Sequence, residues 1–201
     1  MIPEPCVATI GFFDGVHMGH RYLIQQVKEI AAAKGLRSAL VTFPVHPRKV
    51  MNAAYHPELL TTPEEKTNLL AGTGVDYCLM LDFTPDISRL TAKEFMTQIL
   101  KERYQVKYLV IGYDHRFGHN RSEGFDDYVR YGQAIGIKVI RAQAYTDDIQ
   151  IDTIQSAPVS SSLIRKLLHQ GDVDAAARCL NFFCTSCFYI LKKGTKTVNH
   201  Y

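Results

Sequence analysis

The chain has 201 residues, of which 46% are hydrophobic, and its formal net charge is +3. This apolar content suffices for a large core and excludes intrinsic disorder, and the length permits one generous domain or a domain with an appendage. The nearly balanced charge argues against a nucleic-acid-binding protein, whose basic residues cluster on one face.

Three further features indicate where the protein works. No apolar run approaches the roughly eighteen residues of a membrane span, and the first residues lack the basic and apolar regions of a signal peptide. The five cysteines are an odd number and mostly scattered, which argues against a secreted disulfide framework. We therefore expect a cytoplasmic protein that binds neither nucleic acid nor membrane; its oligomeric state is not predictable.

Strands and helices are predicted to alternate along the chain. Apolar runs rich in β-branched residues predict strands at residues 7–12, 38–43, 76–81, 108–112 and 138–141. Helical periodicity predicts helices at residues 21–33, 64–71, 92–103, 126–135, 160–169 and 172–180. The strand runs are nearly continuous, as in strands buried on both faces. We predict an α/β fold with a doubly wound parallel sheet over residues 1–180, followed by a short tail at residues 181–201.

The carboxyl ends of the strands are where such sheets bind ligands. The segments to inspect are therefore residues 11–20, 43–47 and 112–121, together with the start of the helix at Ser160. The first of them reads GFFDGVHMGH and runs from a strand into a helix. Its glycines permit tight turning, and the free N–H groups of a helix start favour anions.

His17 and His20 in this string are candidates to donate hydrogen bonds to phosphate oxygens. Alternatively, they merely cap or pack at a strand–helix junction, and a zinc site would need a third ligand. Neither G-x-G-x-x-G nor G-x-x-x-x-G-K-[ST] occurs, so the string is neither a dinucleotide fingerprint nor a P-loop.

The string resembles the HxGH signature of the nucleotidylyltransferase superfamily, whose fold is Rossmann-like. More particularly, FDGVHxGH is similar to the FMN adenylyltransferase (FAD synthetase) module of the bacterial riboflavin kinase/FAD synthetase family. Three further stretches resemble motifs of that family in order and spacing: TFPVHP at residues 42–47, GYDHRFG at 112–118 and VSSSLIR at 159–165. The resemblance covers roughly residues 6–180.

This resemblance implies an enzyme that transfers AMP from ATP to FMN, releasing pyrophosphate and making FAD. His17, His20 and Arg165 would be catalytic, with His20 as the better candidate for transition-state stabilisation. The ATP-binding residues would be Gly11, Phe12, Phe13, Gly19, Ser160, Ser161 and Ser162. The FMN-binding residues would be His46, Pro47, Asp114, Arg116 and Phe117. Mg²⁺ would bridge phosphate oxygens, without a metal site made by the protein.

Simpler roles remain open for several of these residues. Ser160–Ser162 are also an ordinary helix N-cap cluster, Phe117 is equally suited to core packing, and His46 with Pro47 also suits a rigid turn. The FMN acceptor itself has alternatives in a pantetheine phosphate, nicotinamide mononucleotide or a polyol phosphate. A non-catalytic remnant that binds flavin or ATP is the remaining possibility.

The chain departs from the family pattern at several positions. Phe12 replaces a common asparagine, His115 replaces phenylalanine, and Pro44-Val45 replaces Glu-Pro, whereas Ser162 keeps the hydroxyl of the usual threonine. Residues 181–201 contain no G-x-P-T-A-N motif of the riboflavin kinase, so we expect no phosphorylation of riboflavin. A natural stand-alone enzyme and a truncated one are both compatible with this end, and the C-x-x-C of Cys184 and Cys187 is expected to be incidental.

Overall fold

Five strands form the centre of the molecule in a computed structural model that describes residues 4–112, 115–145 and 159–181. They are β1 (Cys6–Ile10), β2 (Arg37–Thr42), β3 (Tyr77–Met80), β4 (Val106–Ile111) and β5 (Lys138–Arg141). All neighbouring pairs are parallel, in the order β3-β2-β1-β4-β5. The predicted parallel sheet is thus confirmed, and its order reverses direction at β1 and β4, whose carboxyl ends flank the switch point.

Helices cover both faces of this sheet. They are α1 (Met18–Lys34), α2 (Pro47–Met51), α3 (Pro63–Ala71), α4 (Pro85–Arg89), α5 (Ala92–Glu94), α6 (Phe125–Ile135), α7 (Ser161–His169) and α8 (Val173–Leu180). A π-helical segment, Phe95–Arg103, continues α5, and short 3₁₀ turns occupy Asp14–Val16 and His119–Arg121. No helix in these described ranges is long and apolar enough to cross a membrane.

The helix ends follow from local chemistry. Gly35 and Gly136 end α1 and α6 in the left-handed conformation, with φ of 61° and 77°, as their positions in the sequence predict. Asp172 accepts a hydrogen bond from the Ala175 N–H and starts α8. Thr62 and Glu65 form a capping box at the start of α3.

Two apolar layers enclose the sheet, because successive side chains of a strand point to opposite faces. On β1, Cys6, Ala8 and Ile10 belong to one cluster with the α5, π-helical and α6 side chains, whereas Val7 packs with Val27 of α1. A separate cluster joins α7 and α8 around Leu60. The last two helices are thereby attached beside the switch point rather than layered over the sheet.

The structure adds two short helices that periodicity does not predict. Both α2 and α4 have five residues and begin with proline, after His46 and Thr84 as N-caps. Five residues are too few to display a helical period, so only the cap and the proline signal such helices. The predicted helix at residues 92–103 is correct in extent, but most of it is π-helical.

The close packing of α6 against β5 depends on the absence of a side chain at Gly132. A Cβ atom there would lie 2.4 Å from the carbonyl oxygen of Ile137 and 2.8 Å from Cγ2 of Val139. We expect Gly132→Ala to lower the free energy of unfolding by about 2 kcal/mol, measured by urea denaturation, because α6 must move away from β5. The control Gly72→Ala places its methyl no closer than 3.5 Å to the Leu69 oxygen, and its stability should be unchanged or slightly higher. Equal effects of the two substitutions would contradict this tight packing.

Candidate active site

A cleft of about 540 Å³ opens at the carboxyl ends of β1 and β4. Its lining includes parts of every segment that the sequence singles out at the strand ends. Eleven of the predicted site residues line it: Gly11, Phe12, Phe13, His17, Gly19, His20, His46, Ser160, Ser161, Ser162 and Arg165. The fold thus brings the GFFDGVHMGH string at residues 11–20 and the serine-rich start of α7 into one site.

The remaining predicted residues are placed differently. Phe117 is 8% exposed and packs in the core, where its ring stacks on Tyr128 with centroids 4.4 Å apart. Core packing, the simpler alternative for this residue, is therefore what the structure has. Pro47 and Arg116 are not among the described residues that line the cleft. Asp114 lies outside the described residues.

The loop after β1 makes an unusually tight turn toward α1. Phe13, Gly15 and Val16 all have positive φ, at 56°, 76° and 39°. Such conformations strain side-chain-bearing residues and are concentrated at functional sites. The Phe13 ring fills the space beside Gly11, where a Cβ atom would approach it within 3.0 Å. The turn leads directly to His17 at the start of α1.

His17 and His20 form a stacked pair at that helix start. Nδ1 of His17 accepts a hydrogen bond from the His20 N–H at 3.3 Å, so His17 is the N-cap of α1. The two rings lie 3.6 Å apart at 18°, and Phe13 contacts the His20 ring edge-on at 5.2 Å. Capping and cleft lining therefore coexist in His17, whereas the sequence presents them as alternatives.

Burial keeps both imidazoles neutral at physiological pH. It lowers the pKa of His17 to about 4, with the Arg165 guanidinium adding to the effect. Burial also lowers the pKa of His20 well below its usual range, assisted by the neighbouring His17 and His115. Nδ1 of His20 is buried without a hydrogen-bond partner among the described residues.

Asp14 connects the loop after β1 to two other segments. One carboxylate oxygen accepts the N–H groups of Leu60 and Thr61, at 2.9 and 3.4 Å, and the other pairs with the guanidinium of Arg165. Burial raises the pKa of Asp14, and the charge of Arg165 opposes that shift. Sequence reasoning missed Asp14, although it lies inside the quoted string; a carboxylate between glycine and aromatic residues, next to a strand end, is the signal.

Arg165 is fixed by this ion pair on one side of the cleft. Its Nε also donates to the carbonyl oxygen of Glu58 at 2.6 Å. The predicted catalytic role of Arg165 stays a prediction, and Nε and one terminal nitrogen of its guanidinium are already engaged by these contacts. The structure thus makes Arg165 both a lining residue and an anchor.

The three serines at the start of α7 make different contacts. Ser160 is the N-cap and accepts the N–H of Leu163 at 3.2 Å, while Ser161 donates to the Asp14 carbonyl at 3.1 Å. Ser162 is exposed to the cleft. A Cβ atom on Gly19 would meet the Val159 carbonyl oxygen at 3.0 Å, so the starts of α1 and α7 lie against each other. Two helix N-termini therefore face one cleft, which favours an anionic ligand.

The charges around the cleft favour the same kind of ligand. Arg48, Arg121 and Arg165 line it, and Asp14 is the sole carboxylate among the described lining residues. No cluster of three or more metal-ligating side chains occurs in the described part of the chain. The described lining of the cleft is therefore electropositive and suited to an anionic ligand.

The parallel sheet, with a histidine pair at the start of the helix after β1, has the Rossmann-like α/β fold of the HxGH-type nucleotidylyltransferases. The chain belongs to the FAD synthetase family, whose model matches residues 1–158.

Curated relatives agree with this assignment. The chain is 33% identical over 177 residues to a bifunctional riboflavin kinase/FMN adenylyltransferase of Listeria monocytogenes, covering 88% of this chain and 54% of the relative. A protein of the same name from Escherichia coli K12 is 32% identical with the same coverage. The corresponding protein of Pseudomonas fluorescens is 35% identical over 175 residues, or 87% and 54% of the two chains. The chain thus spans about half the length of these relatives.

A solved structure supports the fold. The crystal structure of a protein described as a macrolide-efflux protein from Streptococcus pneumoniae aligns with a TM-score of 0.76 at 28% identity. The alignment covers 90% of this chain and 66% of that one.

The ion pair between Asp14 and Arg165 is expected to stabilise the fold as well as the site. We expect Asp14→Asn to lower the free energy of unfolding by about 3 kcal/mol, because it leaves the half-buried guanidinium without its charge partner. Chemical denaturation would measure the loss. The control Asp86→Asn removes the exposed pair with Arg89 and should cost less than about 1 kcal/mol. An unchanged free energy of unfolding in Asp14→Asn would contradict the anchoring role.

The neutral state of His17 predicts a loss of stability in acid. Its pKa is about 4 in the folded protein and about 6.5 when unfolded, so the unfolded chain binds the proton more readily as the pH falls below 6.5. Between pH 6.5 and 4 the free energy of unfolding should fall by about 3 kcal/mol from this residue, on top of the losses from His20 and His46. His17→Asn keeps a capping acceptor but has no imidazole, and its denaturation curves should show a smaller loss over that interval. An unchanged slope would exclude His17 as a source.

Proposed function

We propose that the protein is an ATP:FMN adenylyltransferase that makes FAD and pyrophosphate. The observation that carries the proposal is the stacked pair of His17 and His20 at the start of α1, in an electropositive cleft at the switch point. Membership of the FAD synthetase family supports ATP and FMN as the substrates. The chain spans about half the length of its curated relatives, so we argue the activity from the residues of this chain.

The reaction requires positioning rather than proton removal. A phosphate oxygen of FMN attacks the α-phosphorus of ATP, a new P–O bond forms, and the bond from that phosphorus to the bridging oxygen breaks. Pyrophosphate leaves with the bonding electron pair. The attacking oxygen is already anionic, so the site must align the two phosphates and neutralise the developing charge.

Neutral histidines suit this task as hydrogen-bond donors. His17 and His20 would bind oxygens of the ATP phosphates, with His20 as the main donor in the transition state. The N-terminus of α7, the Ser162 hydroxyl and the free part of the Arg165 guanidinium would hold the β- and γ-phosphates that leave. Gly11, Phe12, Phe13 and Gly19 would form the adjoining walls for ATP.

The β2 side of the cleft suits the FMN acceptor. His46 caps α2, and its ring contacts Phe12 edge-on at 4.7 Å, with Tyr55 beside it at 5.6 Å. Arg48 and Arg121 supply positive charge for the FMN phosphate. Asp114 and Arg116 stay part of the proposal as FMN contacts, and the buried Phe117 would support that loop from the core.

Mg²⁺ is proposed to accompany the substrate phosphates. Asp14 is the carboxylate among the described lining residues, and Leu60, Thr61 and Arg165 already engage both of its oxygens, so we assign the Mg²⁺ to the substrate phosphates and not to Asp14. Such an ion would neutralise phosphate charge in the transition state. The cytoplasm, where both substrates would be available, is the proposed setting.

Product analysis tests the proposal directly. The purified protein is incubated with ATP and Mg²⁺ and either FMN or riboflavin, and the flavins are separated by chromatography. FAD is expected from FMN, and none is expected directly from riboflavin, which has no phosphate to attack ATP. A folded protein that binds FMN but makes no FAD would instead support the non-catalytic remnant.

His20→Ala is expected to lower kcat about 10²-fold or more while the Kd for FMN changes little, because the lost donor acts on the transition state. Steady-state FAD formation and FMN fluorescence titration measure the two quantities. His119→Ala, which removes an exposed imidazole bonded to the Ser88 carbonyl, is the matched control and should keep full activity. Equal losses in both variants would reject the role of His20.

A further inference from the structure

Lys66 of α3 is a buried cation that the proposed chemistry does not use. The residue is 3% exposed. Its Nζ donates a hydrogen bond of 2.7 Å to the carbonyl oxygen of Phe43 and lies 3.9 Å from the centroid of the Phe12 ring. Lysine is seldom fully buried, so this placement calls for an explanation.

The partners of Lys66 do not neutralise it as an ion pair would. Asp14 is the carboxylate that favours its charged form, yet both oxygens of Asp14 are already bonded to Leu60, Thr61 and Arg165. Two cations therefore share one buried carboxylate beside the cleft. The excess charge of Lys66 is accommodated by a peptide carbonyl and the face of an aromatic ring.

Both partners lie where strands end at the cleft. Phe12 follows β1 and lines the cleft on the proposed ATP side, whereas Phe43 follows β2 and begins the loop to His46 on the proposed FMN side. The Thr42 hydroxyl also donates to the Phe12 carbonyl, at 3.3 Å. Lys66 is thus a charged link between the walls of the two proposed half-sites.

We infer that Lys66 is a positioning residue for adenylyl transfer, which holds the Phe12 wall and the Phe43 loop in the register that aligns FMN with the α-phosphate of ATP. The inference rests on the proposed function. In-line transfer is sensitive to small displacements, since a shift of about 1 Å can cost about 10²-fold in rate. Loss of the link should lower kcat more than it raises either KM.

Titration of Lys66 supplies a readout that a merely structural role would not produce. Burial lowers its pKa to about 8, while the charge of Asp14 opposes the shift; His46 and Cys78 are the other titratable groups that interact with it. His46 is neutral in this range because its pKa lies near 4, and burial raises the pKa of Cys78. As the pH rises through 8, Lys66 loses its proton and its hold on the Phe12 ring weakens, so kcat/KM should fall.

The test compares Lys66→Met and Lys66→Arg with the unsubstituted protein in the FAD-forming assay. Lys66→Met keeps most of the apolar stem without the charge, and its kcat should fall at least tenfold with each KM within about threefold. Lys66→Arg keeps the charge above pH 8, so its kcat/KM should stay flat between pH 8 and 9. The matched control is Lys28→Met, which removes another lysine bonded to a carbonyl, that of Thr73 at 2.8 Å, outside the cleft lining; it should retain full kcat.

The outcomes are distinguishable. If the unsubstituted protein makes FAD and Lys66→Met matches its kcat, the inference is overturned and the proposed function stands. If the unsubstituted protein makes no FAD, the proposed function is rejected, and the inference that rests on it is rejected as well. Should both Lys66 variants fail to fold by circular dichroism, the pH profile of the unsubstituted protein decides: a decline of kcat/KM near pH 8 supports the inference, and a flat profile to pH 9 overturns it.

Discussion

The buried carboxylate of Asp14 is the constraint on which the site depends. It holds the backbone of Leu60 and Thr61, pairs with Arg165 on α7, and sits in the turn that delivers His17 to α1. Two segments distant in sequence are thereby tied to the end of β1. A charge placed there has to be compensated on all sides. That requirement explains why the N–H groups of Leu60 and Thr61 and the guanidinium of Arg165 all converge on this carboxylate.

Much of the fold follows from the sequence because its signals are local. The five parallel strands coincide with the apolar runs predicted from the sequence, although β3 and β5 at the sheet edges are only partly buried. The C-caps at Gly35 and Gly136 are marked by a single residue type. The cleft position then follows from the general behaviour of parallel sheets. What could not be predicted rests on contacts between distant residues: the pairing of Asp14 with Arg165, and the contacts of Lys66 with Phe43 and Phe12. Spacing in a motif says which residues belong together, but not which of them already bind one another.

The departure at Phe12 gains a physical context in the structure. A polar residue is common there in the family, whereas this chain has an aromatic ring between the His46 ring and the buried ammonium of Lys66. The ring stabilises the cation on one side and lines the cleft on the other. Substitution of asparagine by phenylalanine is therefore compatible with an ordered wall, provided that Lys66 remains opposite it. His115, the second departure, also lines the cleft and contributes to the lowered pKa of His20.

The hydrogen bond that caps α1 has a consequence for proton position. Since Nδ1 of His17 accepts the His20 N–H and the ring is neutral, its single proton must reside on Nε2. Only one tautomer of His17 is therefore compatible with the helix start. That tautomer presents its remaining ring nitrogen as a donor and cannot abstract a proton there. The helix cap thus determines that this imidazole can act through Nε2 as a hydrogen-bond donor and not as a base.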